Sequence, residues 1–163
     1  MAVNPYQPPA SLGATPPGEL AGAGTRLLAV IIESLVLLPV TIPIAYFMGN
    51  LDGITTGRQP PLINTVAMTT ISFGIFIGVN WVFLQNGQTI GKKAMGIRIV
   101  DLNGSVLPVR RLLVTRYLPW WAASVVPFVG GLFASIDALF IFSKDRRCIH
   151  DHIAGTKVVT VQK

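Results

Sequence analysis

The chain has 163 residues, 51% hydrophobic and only 12% charged, with a mean hydropathy of +0.58. Soluble domains carry about 25% charged residues, so this composition points to lipid as the main solvent. The formal charge of +6 invites a nucleic-acid reading, but the basic residues are few and set among apolar ones, so no nucleic-acid partner is expected. A single cysteine, Cys148, excludes an internal disulfide.

Residues 1–24 hold five prolines, four glycines and one charged side chain, Glu19. With no basic stretch ahead of an apolar core they do not read as a cleaved signal, and they bury too little to fold. A disordered cytoplasmic leader is expected, followed by a membrane domain over 25–163.

The first predicted span is 27–48, interrupted by Glu33, Pro39 and Pro43, the prolines predicting a kink. The second is 64–85, where Gly74 and Gly78 have the small-xxx-small spacing that permits close helix approach, within the molecule or between copies. Each has about the 20 apolar residues that a bilayer core requires. The apolar stretch 109–143 is too long for one crossing and breaks at "VPFVGG". It reads as two short helices, 109–126 and 129–143, which either cross thinly or form a re-entrant hairpin. Trp81, Trp120 and Trp121 suit packing and interfacial anchoring.

The intervening "GIRIVDLNGSVLPV" alternates and carries Asn103-Gly104, a strong hairpin turn signal. With "GTKVVTVQ" it predicts a small cytoplasmic β-hairpin element over 94–108, joined by 155–162. The fold class is therefore an all-α transmembrane helical bundle, two long spans plus a broken helical hairpin, with that β element beneath it.

Charge placement orients the chain. The stretch 86–116 carries Lys92, Lys93, Arg98, Arg110, Arg111 and Arg116, and the tail carries Lys144, Arg146, Arg147, Lys157 and Lys163, whereas 49–63 has only Arg58 as a base. Basic loops stay cytoplasmic, so both termini are expected inside, in the cell inner membrane, after an even number of passages.

Helix rise then sets depth. Counting about 1.5 Å per residue from the cytoplasmic ends of the four predicted helices puts Glu33, Asn80, Arg116 and Asp137 roughly 8–10 Å deep, in one layer. An unpaired charge at mid-bilayer costs about 2.5–3.5 kcal/mol on insertion scales, which a Glu33–Arg116–Asp137 cluster would largely remove. Such a cluster either handles a proton or cation or clamps the helices in register. Arg26, one face of the helix with Glu33 but too far along it, is expected to snorkel to the headgroups.

Other motifs fail their tests. "GQTIGKK" at 87–93 has three residues between its glycines and Lys93 where a phosphate loop needs a hydroxyl. His150, Asp151 and His152 are consecutive and point apart, whereas metal ligands must converge; a turn cap or a contact to Arg146 is expected, with no metal site and no cofactor. Both histidines lie in one tail, so no nucleophile–base pair forms and no enzyme is expected.

In combination, "AGAGTRLLAVIIESLVL", "GQTIGKKAMGIRIVDLNG" and "DRRCIHDHIAGTKVV" resemble the RDD family of small polytopic bacterial membrane proteins, over residues 22–161. The family is named for one arginine and two aspartates. Arg26 matches the arginine. The first aspartate falls at Glu33, a departure that keeps a carboxylate on a longer arm, and the second matches either Asp137 or Asp151. The resemblance implies transport of unknown ligands, with sodium/proton exchange suggested for some members. The expected function is cation or proton transport, or transport of another small ligand; the alternative is a non-transporting accessory or scaffold that binds a membrane protein partner or anionic lipid. A homo-oligomer is a further expectation, since four thin helices enclose little pathway.

Overall fold

The computed structural model describes residues 18–126, 129–143 and 145–161; most of the expected leader lies outside them. The fold is mostly helical. Its frame is α1 (Ala23–Phe47) and α3 (Leu62–Leu84), joined through the short α2 (Asp52–Thr56). Both long helices are long and apolar enough to cross a membrane. α1 continues through Pro39 and Pro43, each of which removes one ladder N–H. Ser34 and Thr41 turn their hydroxyls back on Val30 O and Leu37 O, at 3.0 and 3.1 Å. At the far end, Asn64 donates to Met48 O at 2.9 Å and fixes the top of α3 against the end of α1.

The apolar side chains of these helices mostly face outward: Leu35, Val36, Leu38 and Ile42 are exposed on α1, Ile63, Ile71 and Val82 on α3. An aliphatic surface of this kind suits lipid. Gly74 and Gly78 have no neighbour within 4 Å of a would-be Cβ. Their spacing therefore serves no close contact among the described residues.

The buried core lies elsewhere. Ala21, Ala29, Leu84, Ile97, Ile99, Leu112 and Val158 form one cluster at the end where α1 begins and α3 finishes. Here α4 (Ile90–Ala94), β1 (Ile97–Asp101), α8 (Ile149–Ala154) and β2 (Thr156–Thr160) build a compact cap. β1 and β2 pair antiparallel, Ile97 opposite Thr160 and Asp101 opposite Thr156. The predicted β-hairpin is thus corrected. Its turn exists, with Gly104 donating to Asp101 O at 3.1 Å and Ser105 O accepting from Asp101 at 2.8 Å. Residues 105–108 then leave the sheet, because Leu107 is buried and Pro108 caps α5 (Val109–Leu112). The strand that fits is β2, whose Val158 lands in the core with Ile97 and Ile99. On the other edge of β2, Leu20 bridges Val159 and Ala21 donates to Val158 O at 3.0 Å. Order therefore begins before the predicted boundary at residue 25.

From the cap, α5 runs through a π-helical turn (Leu113–Tyr117) into α6 (Leu118–Val125). Pro119, which cannot donate to the ladder, sits at the start of α6, and Leu118 reaches back five residues to Leu113 O. The return arm is α7 (Val129–Leu139), ending in a 3-10 turn (Phe140–Phe142). The predicted break therefore occurs, although residues 127–128 lie outside the described ones. The hairpin packs on α3 through rings: Tyr117 meets Phe76 at 5.1 Å and Trp121 meets Phe73 at 5.8 Å.

Candidate functional site

The polar groups of the interior gather where the cap plugs into the helices. Asp151, in the first turn of α8, is fully buried and receives four hydrogen bonds. Its Oδ1 accepts from the Arg116 guanidinium and from the Thr156 hydroxyl at 3.0 Å. Its Oδ2 accepts from Arg26 at 2.5 Å and from the Cys148 N–H at 3.2 Å. Burial alone would raise this carboxyl, but Arg116 and Arg26 together hold it well below the usual carboxylate range. Two cations share one carboxylate, and each finds further acceptors: Arg26 on Arg146 O and Cys148 Sγ, Arg116 on Thr156 Oγ1 at 2.7 Å.

The second acid of the layer restores the balance. Asp137, on α7, takes the His150 backbone N–H at 3.0 Å on Oδ1 and His150 Nδ1 at 2.6 Å on Oδ2. Arg116 lies 2.9 Å from His150 Nε2. A guanidinium can only donate, so Nε2 is the acceptor and the ring proton sits on Nδ1, aimed at Asp137. Burial and the neighbouring Arg116 push the His150 pKa down, which keeps the ring neutral. Arg26, Arg116, Asp151 and Asp137 then sum to zero.

Glu33 belongs to the adjoining part of the layer. Its Oε2 accepts the Thr89 hydroxyl at 2.7 Å and lies 3.9 Å from Lys92 Nζ, while Oε1 is buried without a hydrogen-bond partner. Lys92 is lowered to about 8, chiefly by burial, against the opposing pull of Glu33. The "GQTIGKK" motif is the device that delivers this lysine. Gly91 lies on α1 so closely that a Cβ there would stand 1.9 Å from Ala29 O. Asn80 of α3 accepts the Ile90 N–H at 2.8 Å and donates to Phe76 O at 3.0 Å, so its amide caps α4. Gln88 donates to Ile97 O at 2.8 Å and ties the loop to β1.

Among the described residues the expected Glu33–Arg116–Asp137 cluster therefore separates into two groups, one sharing His150 and the other around Glu33. Arg116 joins Asp151 and His150, Asp137 joins His150, and Glu33 joins Thr89 and Lys92. Arg26 is corrected: it is 6% exposed and bound to the tail, where snorkelling was expected. Asp151 was expected to act locally. It does close a capping box on Cys148, but its principal partners are guanidiniums 125 and 35 positions away. It is Arg26 that contacts Arg146, through the Arg146 carbonyl. His152 faces Asp145 at 2.9 Å on the exposed side.

One further convergence escaped the sequence. Ligand atoms of Asp137, Cys148 and His150 all lie within 4.8 Å of one another. Only His150 belongs to the run 150–152; the other two donors come from outside it.

Comparison with known proteins agrees with the motif pattern. The RDD family model matches residues 20–155. The chain is 32% identical over 146 residues to "Uncharacterized protein YckC" of Bacillus subtilis (strain 168), an alignment covering 88% of this chain and 83% of that protein. No solved structure matches. With most of its length matched and two helices suited to a bilayer, the chain is a member of the RDD family.

Proposed function

We propose that this is a multi-pass inner-membrane protein, both termini cytoplasmic, that passes a proton or small cation through the layer around Glu33. The observation that carries the reading is the unfilled Oε1 of Glu33, a carboxylate oxygen buried beside Lys92. Desolvated polar atoms normally find partners, and an intramembrane ionisable group is a functional candidate. Tyr117 OH is likewise buried and unpartnered, so a transient occupant has polar groups to meet. In this mechanism Glu33 takes and releases the ion, Lys92 answers the charge when the site is empty, and Arg116 with Asp137 and Asp151 holds the surrounding field near neutral.

Reconstitution tests this. Wild-type proteoliposomes should carry cation-dependent proton flux, and Glu33→Gln should reduce it to the level of empty vesicles. Wild-type flux no greater than empty vesicles, across monovalent cations and pH gradients, would remove the proposal. The rival is an accessory protein whose saturated Arg26–Asp151–Arg116 set is purely a clamp. A stoichiometric membrane partner co-purifying with a flux-inactive wild type would favour it.

A further inference from the structure

We propose that Asp137, Cys148 and His150 form a binding site for a borderline divalent metal of the zinc type, joining the hairpin's return arm to the cap. The proposal stands apart from the transport reading and rests on three observations. The donors come from two separate elements, α7 and the start of α8, yet their ligand atoms lie within 4.8 Å of one another. Asp137 and Cys148 are each 5% exposed and the His150 side chain 21%, so two donors lie in the interior and the third opens toward the surface. The donor set is one thiol, one imidazole and one carboxylate, a combination that suits zinc or cobalt. Calcium and magnesium prefer all-oxygen surroundings of six or more ligands, and this cluster offers a single carboxylate beside a thiol and an imidazole.

Asp137 Oδ1 is fixed by the His150 N–H at 3.0 Å, and the cap of α8 fixes Cys148. The two guanidiniums nearby are already neutralised by Asp151 and Asp137, so the added charge is that of the metal less the thiol proton.

Burial pushes the Cys148 thiol up to about 11, and a metal would deprotonate it outright, releasing one proton per ion bound. Metal bonds of about 2.0 Å to Nδ1 and Oδ2 would displace the Nδ1 proton and require these two atoms, now 2.6 Å apart, to open. That proton moves to Nε2, which then no longer accepts from Arg116. Arg116 keeps Asp151 and Thr156. Three protein donors leave one coordination position open to water.

The test uses the full-length protein, stripped with chelator in detergent and titrated with cobalt(II). The expected result is one cobalt per chain, with a thiolate-to-cobalt charge-transfer band and tetrahedral d–d bands, both displaced by zinc. Cys148→Ser keeps a good helix cap and so should fold normally; it should abolish the charge-transfer band. Asp137→Asn, which still accepts from the His150 backbone, should weaken cobalt affinity tenfold or more. His152→Gln, outside the cluster, should change nothing. Absence of a stoichiometric band in wild type, its survival in Cys148→Ser, or its loss in His152→Gln would each overturn the proposal.

Discussion

Asp151 is the residue on which the joint between cap and helices depends. Removing its charge leaves Arg26 and Arg116 buried with only neutral acceptors and Asp137 nearby. Breaking a buried ion pair from one side costs about 3–5 kcal/mol, so Asp151→Asn should lose that much in detergent unfolding experiments. A loss under 1 kcal/mol would show that the guanidiniums find other acceptors. Lys92 gives a pH signature of the opposite kind. Its folded pKa, about 8, lies below the ordinary 10.5, so between those values the unfolded chain binds more protons. Stability should therefore rise with pH across that window, and Lys92→Met should flatten the rise. An unchanged slope in the variant would mean that other groups produce it. At this scale the sequence was readable where a charge interrupted an apolar run, as at Glu33, Arg116 and Asp137. Asp151 gave no such signal. It lies in a polar tail, and nothing local announces that its partners are 125 and 35 residues distant.

Among the elements, α4 shows that a motif whose spacing fails as a phosphate loop can still be specified tightly. The glycines of "GQTIGKK" suggest a phosphate loop; their actual work is close backbone approach. Gly87 adopts φ +66° with Ile99 O 2.3 Å from a would-be Cβ, and Gly91 rests on Ala29 O. Gly91→Ala should force α4 off α1, costing about 1–3 kcal/mol as overpacking does, and should pull Lys92 away from Glu33. Normal stability in that variant would contradict the docking described. The two long helices were legible because length and hydropathy decide them, and the break after Val126 because proline and glycine mark it. The β pairing was not, because the Asn-Gly turn is local information while β2 is selected by Val158 entering a shared core. The π turn carrying Arg116 left no mark in composition beyond Pro119, whose effect could as well have been a simple kink.

For the molecule as a whole, the decisive feature is how far the hairpin reaches. Arg26 and Arg116 hold the same carboxylate, which gives α1 and the hairpin a common starting level. Beyond it α1 continues 21 residues to Phe47 and the outgoing arm only nine to Val125, about 31 Å against about 13 Å. The ring contacts agree. Trp121 stands beside Phe73, so the four residues left in α6 add about 6 Å, while α3 continues about 16 Å to Leu62. A bilayer core is about 30 Å thick. On the membrane reading proposed above, these lengths fit a re-entrant hairpin at 109–143 better than a second pair of crossings.

Cysteine accessibility tests this arrangement most directly. Cys148 is buried, so it is replaced by serine and single cysteines are placed at Thr56, Leu102 and Val126, all exposed at the protein surface. With an impermeant maleimide, the Thr56 position should label on intact cells and the Leu102 position only after lysis. The Val126 position should resist from both sides while lipid is present. Labelling of Val126 from outside as strong as that of Thr56 would contradict the account, since the hairpin would then cross.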